Sequence, residues 1–144
     1  MFFPLILFSI LLPFILADDF GNSWETATAI PMHNAVYGTI EYNGDWDFFK
    51  IKLIAGRAYQ ITVYASFTNT FLRIYDPNMN HLYDVDNTVD WNPQAGFVAL
   101  ITGDYYLGVV GPTIFDLGTY LIAVVDLSYC SATCTCNLKE FSLY

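Results

Sequence analysis

Positive charge is scarce in this chain: five Lys and Arg stand against fourteen Asp and Glu, for a formal net charge of −9. So acidic a surface excludes nucleic acid and anionic membrane as natural partners, because drawing phosphates toward it costs electrostatic work instead of releasing counterions. Cations are its complement. Cysteine is absent until Cys130, Cys134 and Cys136 arrive together near the end, so no disulfide framework runs through the body of the sequence. Histidine is limited to His33 and His81, each in an Asn-containing, loop-like setting with no cysteine nearby, the context of an exposed polar residue rather than a general base. HExxH, GxSxG and phosphate-loop signatures are missing as well. Sustained 3.6-residue periodicity is absent after the first seventeen residues, which excludes a helical bundle.

What is there begins with an uncharged apolar run, Phe2 to Leu16 in MFFPLILFSILLPFILA, too short and too proline-interrupted to span a bilayer comfortably. Read as a signal peptide over residues 1–17, it predicts a secreted, extracellular protein with no membrane contact once the leader is cleaved. No Lys or Arg precedes the run, and bulky Ile15 stands two residues before Ala17, so an uncleaved anchor is the alternative. The acidic domain then covers 18–127 and a cysteine-bearing tail covers 128–144. The CxxxCxC pattern of that tail offers three thiolates to a metal, one short of the usual zinc set. A disulfide suits an exported chain better, with Cys130 as one partner because a CxC pair closes a strained ring. One thiol is left over for an intermolecular disulfide or for a segment outside this sequence.

From Ala35 onward, short runs rich in Val, Ile, Tyr and Phe are broken by Gly, Asn, Asp and Pro, which predicts eight strands: Ala35–Glu41, Asp47–Leu53, Arg57–Ala65, Thr70–Tyr75, His81–Asp86, Gly96–Ile101, Tyr105–Val110 and Gly118–Val125. With no intervening helices, these pair antiparallel in two packed sheets, an all-β sandwich. Alternation places Phe49, Ile51 and Leu53 toward the core and Phe48, Lys50 and Lys52 toward water. The same parity nominates Ile61, Val63, Leu72, Ile74, Leu107, Val109 and Leu121 for the core. Tyr106 and Tyr120 are read as core aromatics, and Tyr64, Tyr75, Tyr83 and Trp91 as exposed ones. DPNMN after Tyr75 predicts a turn, TGD before Tyr105 a tight hairpin, and SWETATAI one turn of helix capped by Ser23 with Thr26 at its third position.

The stretch EYNGDWDFFKIKL sets acids at the mouth of a buried strand, and Asp47 falls on the core side of the pleat. An unpaired buried carboxylate is prohibitive, so Asp47 must lie at the strand end with hydrogen bonds or a cation. Asp18, Asp19, Glu25, Glu41, Asp45 and Asp47 crowd the N-terminal part of the domain, together with Asn22 and Asn43. Oxygen donors at that density suit calcium, though the absence of a DxDxDG loop excludes an EF-hand. Solubility and turn capping explain the same residues without a metal, whereas Asp116 sits in a loop outside the cluster. A small carbohydrate-active enzyme working through Asp45 and Asp47 is the catalytic alternative, since residues two apart on a strand lie about 6–7 Å apart. The sequence marks neither for a raised pKa.

The blocks DDFGNSWETAT, YGTIEYNGDWDFFKI, AGRAY, LRIYD, GDYYLGVVG and GTYLIAVV, in that order from about Asp19 to Val125, resemble the bacterial pre-peptidase C-terminal domain, a relative of the collagen-binding domain of clostridial collagenases. The resemblance implies a non-catalytic, antiparallel jelly-roll-like β-sandwich of about eight strands, appended to exported proteins and serving as an accessory binding module. An extracellular matrix protein, a polysaccharide or the surface of a parent protein would be its partner. It also implies calcium near the N-terminal segment, which sets Asp18, Asp19 and Asn22 against Asp45 and Asp47, with Glu41 or the Asn43 carbonyl completing the shell. The tail after Asp126 has no counterpart in that pattern.

Overall fold

The computed structural model describes residues 17–65, 69–86 and 92–129. Residues 1–16, Trp91 and the three cysteines lie outside them. Nine strands form two sheets: β1 (Thr28–Ala29), β2 (Ala35–Ile40), β3 (Trp46–Leu53), β4 (Ala58–Ala65), β5 (Phe71–Tyr75), β6 (His81–Asp86), β7 (Gln94–Val98), β8 (Gly103–Val110) and β9 (Gly118–Asp126). One sheet has the order β1-β3-β8-β5-β6 and the other β2-β9-β4-β7. Consecutive strands therefore alternate between sheets over much of the chain, and the core fills the space between them. Among the described residues no helix is long and apolar enough to cross a membrane.

Nine of the ten residues expected in the core line it, Phe49, Leu53, Ile61, Val63, Leu72, Ile74, Leu107 and Val109 completely buried. The tenth, Leu121, is buried but on the outer face of β9, because Tyr120 and Ile122 take the inner positions. Tyr59 and Tyr105 join them as the largest enclosed side chains. The two-residue period is clearest in β4 and β5, because one face of each sheet meets the other sheet. Lys52 is exposed and Lys50 half-buried, as parity requires. Their neighbour Phe48 is buried even though it points away from the core. Its ring stacks on Trp46 at 5.8 Å, and both rings lie over Gly108, where a Cβ would come within 3.1 Å of them.

Several expectations are corrected. Tyr106 is half-buried, and Tyr105 takes the core position, bonding its hydroxyl to the Ile101 carbonyl at 3.1 Å. Leu107 and Val109 already demanded that parity. TGD is no hairpin: β7 and β8 belong to different sheets, so Ala99–Thr102 crosses between them, tied down by Gly56 N–H to the Ala99 carbonyl at 2.8 Å and Ala55 N–H to Thr102 Oγ1 at 2.9 Å. The strand expected at Gly96–Ile101 is accordingly Gln94–Val98. Pairing is antiparallel except where β1, too short to show a period, runs parallel to β3 through Thr28↔Phe49 and Ala29↔Lys50. Before it stands the 3-10 turn Trp24–Thr26, with the Thr26 hydroxyl bonded to the Ser23 carbonyl at 3.0 Å. DPNMN is the turn expected, closed by Asp76 Oδ1 accepting the Asn78 and Asn80 N–H groups at 2.8 Å each. Tyr64 and Tyr83 are exposed, while Tyr75 is half-buried.

Candidate metal centre

The N-terminal segment Asp18–Asn22 lies across the start of β3. The Gly21 carbonyl accepts the Phe48 N–H at 3.0 Å, Asn22 Oδ1 accepts the Trp46 N–H at 2.8 Å, and the Phe20 ring meets Phe49 edge-on at 4.7 Å. A side chain at position 21 would collide with Thr26, so glycine is what lets the turn that follows fold back against the segment. From the other side comes the turn joining β2 to β3. Asp45 closes it by accepting the Glu41 N–H on Oδ2 at 2.8 Å, and Gly44 supplies the left-handed residue at φ 84°.

Together these segments converge five acids. Asp18, Asp19 and Asp47 bring one carboxylate oxygen each within 4.8 Å of one another, and Asp18, Glu41 and Asp45 do the same, so Asp18 belongs to both groups. Asp45 and Asp47 are fully buried. Asp47 Oδ2 accepts the Tyr120 hydroxyl at 2.5 Å. Three buried oxygens, Glu41 Oε2, Asp45 Oδ1 and Asp47 Oδ1, have no hydrogen-bond partner. Among the described residues no Lys or Arg pairs with any of the five acids.

That much uncompensated charge shows in the protonation equilibria. Burial, and then the charges of Asp19, Asp45 and Asp18, push the Asp47 carboxyl up to about 7 against the pull of the Tyr120 hydrogen bond. Burial and the Asp45 carboxyl beside it push Glu41 up to about 8. Asp19 is raised as well, by burial and by Asp45 and Asp18, with the Thr39 N–H partly offsetting them. Burial and the Asp47 charge raise the Tyr120 hydroxyl, which therefore stays a proton donor.

The donor set fits a hard divalent cation. Calcium bonds oxygen at about 2.3–2.6 Å, so oxygens sharing one ion lie no more than about 5 Å apart, as both groups do. The orphaned oxygens would find their missing partner in the ion, and the two faces of the joint would stop repelling each other. Asn22 has another task. Its Oδ1 is taken by Trp46, and its Nδ2 donates to Asp18 Oδ2 at 2.6 Å and to the Tyr42 hydroxyl at 2.8 Å, so it orients Asp18. Asn43 is exposed in the turn beside Gly44, and both carboxylate groups form without it. Glu25 is exposed and belongs to neither group. Sequence reasoning missed the role of Tyr120, although a tyrosine of inward parity must find a partner for its hydroxyl, and that requirement was the available signal.

The architecture matches solved structures. The pre-peptidase C-terminal domain of a collagenase from Bacillus anthracis superposes with a TM-score of 0.60 at 19% identity, over 68% of this chain and 93% of that one. The fold is that of the pre-peptidase C-terminal domain. Salmonella Typhimurium PliG, a periplasmic inhibitor of g-type lysozyme, has a TM-score of 0.50 at 12% identity over 68% of this chain and 95% of its own. CorA, a surface-associated copper-binding protein of Methylomicrobium album BG8, has the same score at 11% identity over 68% and 96%. No protein-family model matches the sequence, and no curated protein does. At these identities the likeness establishes the pre-peptidase C-terminal architecture and nothing about its ligands.

Proposed function

We propose that this chain is a secreted, non-catalytic accessory module: a sandwich of the pre-peptidase C-terminal type, held closed by calcium, that binds an extracellular protein, a polysaccharide or the surface of a parent protein. The observation that carries the calcium is the joint itself, where three buried carboxylate oxygens without partners meet Asp18 and Asp19. Asp18, Asp19, Glu41, Asp45 and Asp47 would hold the ion, with Asn22 fixing Asp18. The ion would supply charge neutralisation, clamping the N-terminal segment to β3. Cleavage of the leader after Ala17 would leave Asp18 and Asp19 at the start of the mature chain. The periplasmic and surface-associated settings of PliG and CorA agree with export. A glycosidase built on Asp45 and Asp47 is disfavoured because both carboxylates are sealed from solvent, leaving a sugar no path to them.

Thermal melts in calcium and in chelator test the reading, since a ligand that binds only the folded state raises its stability by mass action. A melting temperature several degrees higher in millimolar calcium, with calorimetric binding, is the expected result. Identical melts and no heat of binding would remove the metal and leave the sandwich.

A further inference from the structure

The outer faces of the two sheets differ in kind. On the five-stranded sheet, Lys52 pairs with Asp104 across β3 and β8, and Arg73 with Asp84 across β5 and β6. On the four-stranded sheet, no outward position of β2, β9, β4 or β7 holds a charged residue. A wholly neutral sheet face on a chain of net charge −9 is a selective surface. Across it, Tyr37 of β2, Leu121 of β9 and Tyr64 of β4 form one register row, with Tyr37 63% and Tyr64 42% exposed. In the rows alongside, Thr62 opposes Gln94, and Gln60 opposes the exposed Gly96.

We propose that this face binds a neutral polysaccharide, the rings of Tyr37 and Tyr64 carrying sugar rings and Gln60 and Thr62 meeting its hydroxyls. β2 and β4 flank β9, so the two tyrosines stand two strand spacings apart, about 10 Å, which suits every second unit of an extended glycan. An aromatic ring offers the apolar face of a sugar a large, low-entropy contact, and its hydroxyl adds a hydrogen bond. Uncharged amides and hydroxyls recognise sugar hydroxyls without demanding a counter-charge. Anionic glycans are repelled by the chain as a whole, and cationic partners are drawn to the acidic joint instead. A protein partner is disfavoured because protein interfaces surround an aromatic core with a rim whose charges steer and register the partner, and this face carries no charge. This inference rests on the reading of the chain as an extracellular binding module and specifies the ligand of that module.

The test is retention of the full chain by insoluble cellulose and chitin, and retardation in gels cast with β-1,3-glucan or mannan. Tyr37→Thr and Tyr64→Thr, which keep strand propensity, should each weaken binding to the retained glycan about tenfold, and the double variant should lose it. Tyr37→Phe and Tyr64→Phe should bind, as should Phe115→Ala, which removes an 85% exposed ring elsewhere. Each variant should keep its melting temperature and calcium response. Failure of the wild-type chain to bind all four glycans overturns the proposal, as does binding that survives the double Thr substitution. Retention on heparin alone, or on a collagen-coated surface through these same tyrosines, also overturns it, although the collagen result leaves the binding module standing. Loss of the calcium response with glycan retention intact removes the metal reading and supports this one.

Discussion

Tyr120 donates its hydroxyl to Asp47 Oδ2 at 2.5 Å in the space between the sheets, tying β9 of one to β3 of the other. The bond satisfies one oxygen of a fully buried carboxylate and leaves Oδ1 unpartnered within the acidic joint. Gly38, paired with Tyr120 across β2 and β9, makes room for it: a Cβ there would meet the hydroxyl and the ring edge. The core and the candidate metal centre thus share one hydrogen bond.

Removing that bond should cost stability without destroying the fold. Tyr120→Phe leaves Asp47 with both oxygens buried and unmet, a loss of about 1–3 kcal/mol, measurable by urea unfolding. Gly38→Ala should cost more, because the ring atoms of residue 120 stay in the way whether or not the hydroxyl is present.

Asp47→Asn should lower the melting temperature in calcium and shrink the shift that chelator produces, because it deletes one oxygen donor and one charge from the site. Asp104→Asn, an exposed change on the outer face of β8, should alter neither. Asp116 would be a poor control, because its carboxylate accepts the Thr113 N–H at 3.0 Å and the Asn69 N–H at 3.1 Å, holding two loops. If acids serve only solubility, Asp47→Asn relieves repulsion and raises the melt, and a calcium titration monitored by melting separates the two cases.

In chelator, stability should rise as pH falls from 8 to 5. The folded-state values of Asp47 and Glu41, about 7 and about 8, lie above their ordinary 3.8 and 4.5. The folded chain therefore binds more protons than the unfolded one through this window, and their contribution is lost as pH rises through the folded values. Calcium should reverse the trend, since it competes with those protons. Melts at four pH values, with and without calcium, check the crossing slopes.

Asp126 is buried at the end of β9, where Oδ2 accepts Arg57 Nη1 at 3.0 Å and Oδ1 the Ser128 N–H at 2.9 Å. Burial works to raise its carboxyl, but the Ser128 and Arg57 hydrogen bonds outweigh it and hold the group below its ordinary value. Its contribution is thus present at neutral pH and lost only as pH falls through that lowered value. Asp126→Asn should cost about 1–3 kcal/mol at pH 7, with the gap to wild type closing in acid, as urea unfolding at both pH values would show.

The sequence by itself determined most of the strands and the faces of those that alternate, because a two-residue period is local: Phe49, Ile51 and Leu53 alternate with Lys50 and Lys52 whatever the rest of the chain does. It also required that Asp47, fixed on the inner face, receive compensation. Which group compensates was not local. Tyr120 lies 73 residues away, and only the pairing of β9 in the opposite sheet brings its hydroxyl to that carboxylate. β1 was invisible for the same reason, since two residues have no period and acquire strand geometry only from β3. The crossing at Ala99–Thr102 resembled a hairpin because turn residues look alike whether the chain stays in its sheet or changes sheets, and that choice is made by the packing of β7 on β4 and β8 on β3. The neutral face arises likewise: Tyr37 and Tyr64 are unrelated in sequence and become neighbours in function only because β9 lies between β2 and β4.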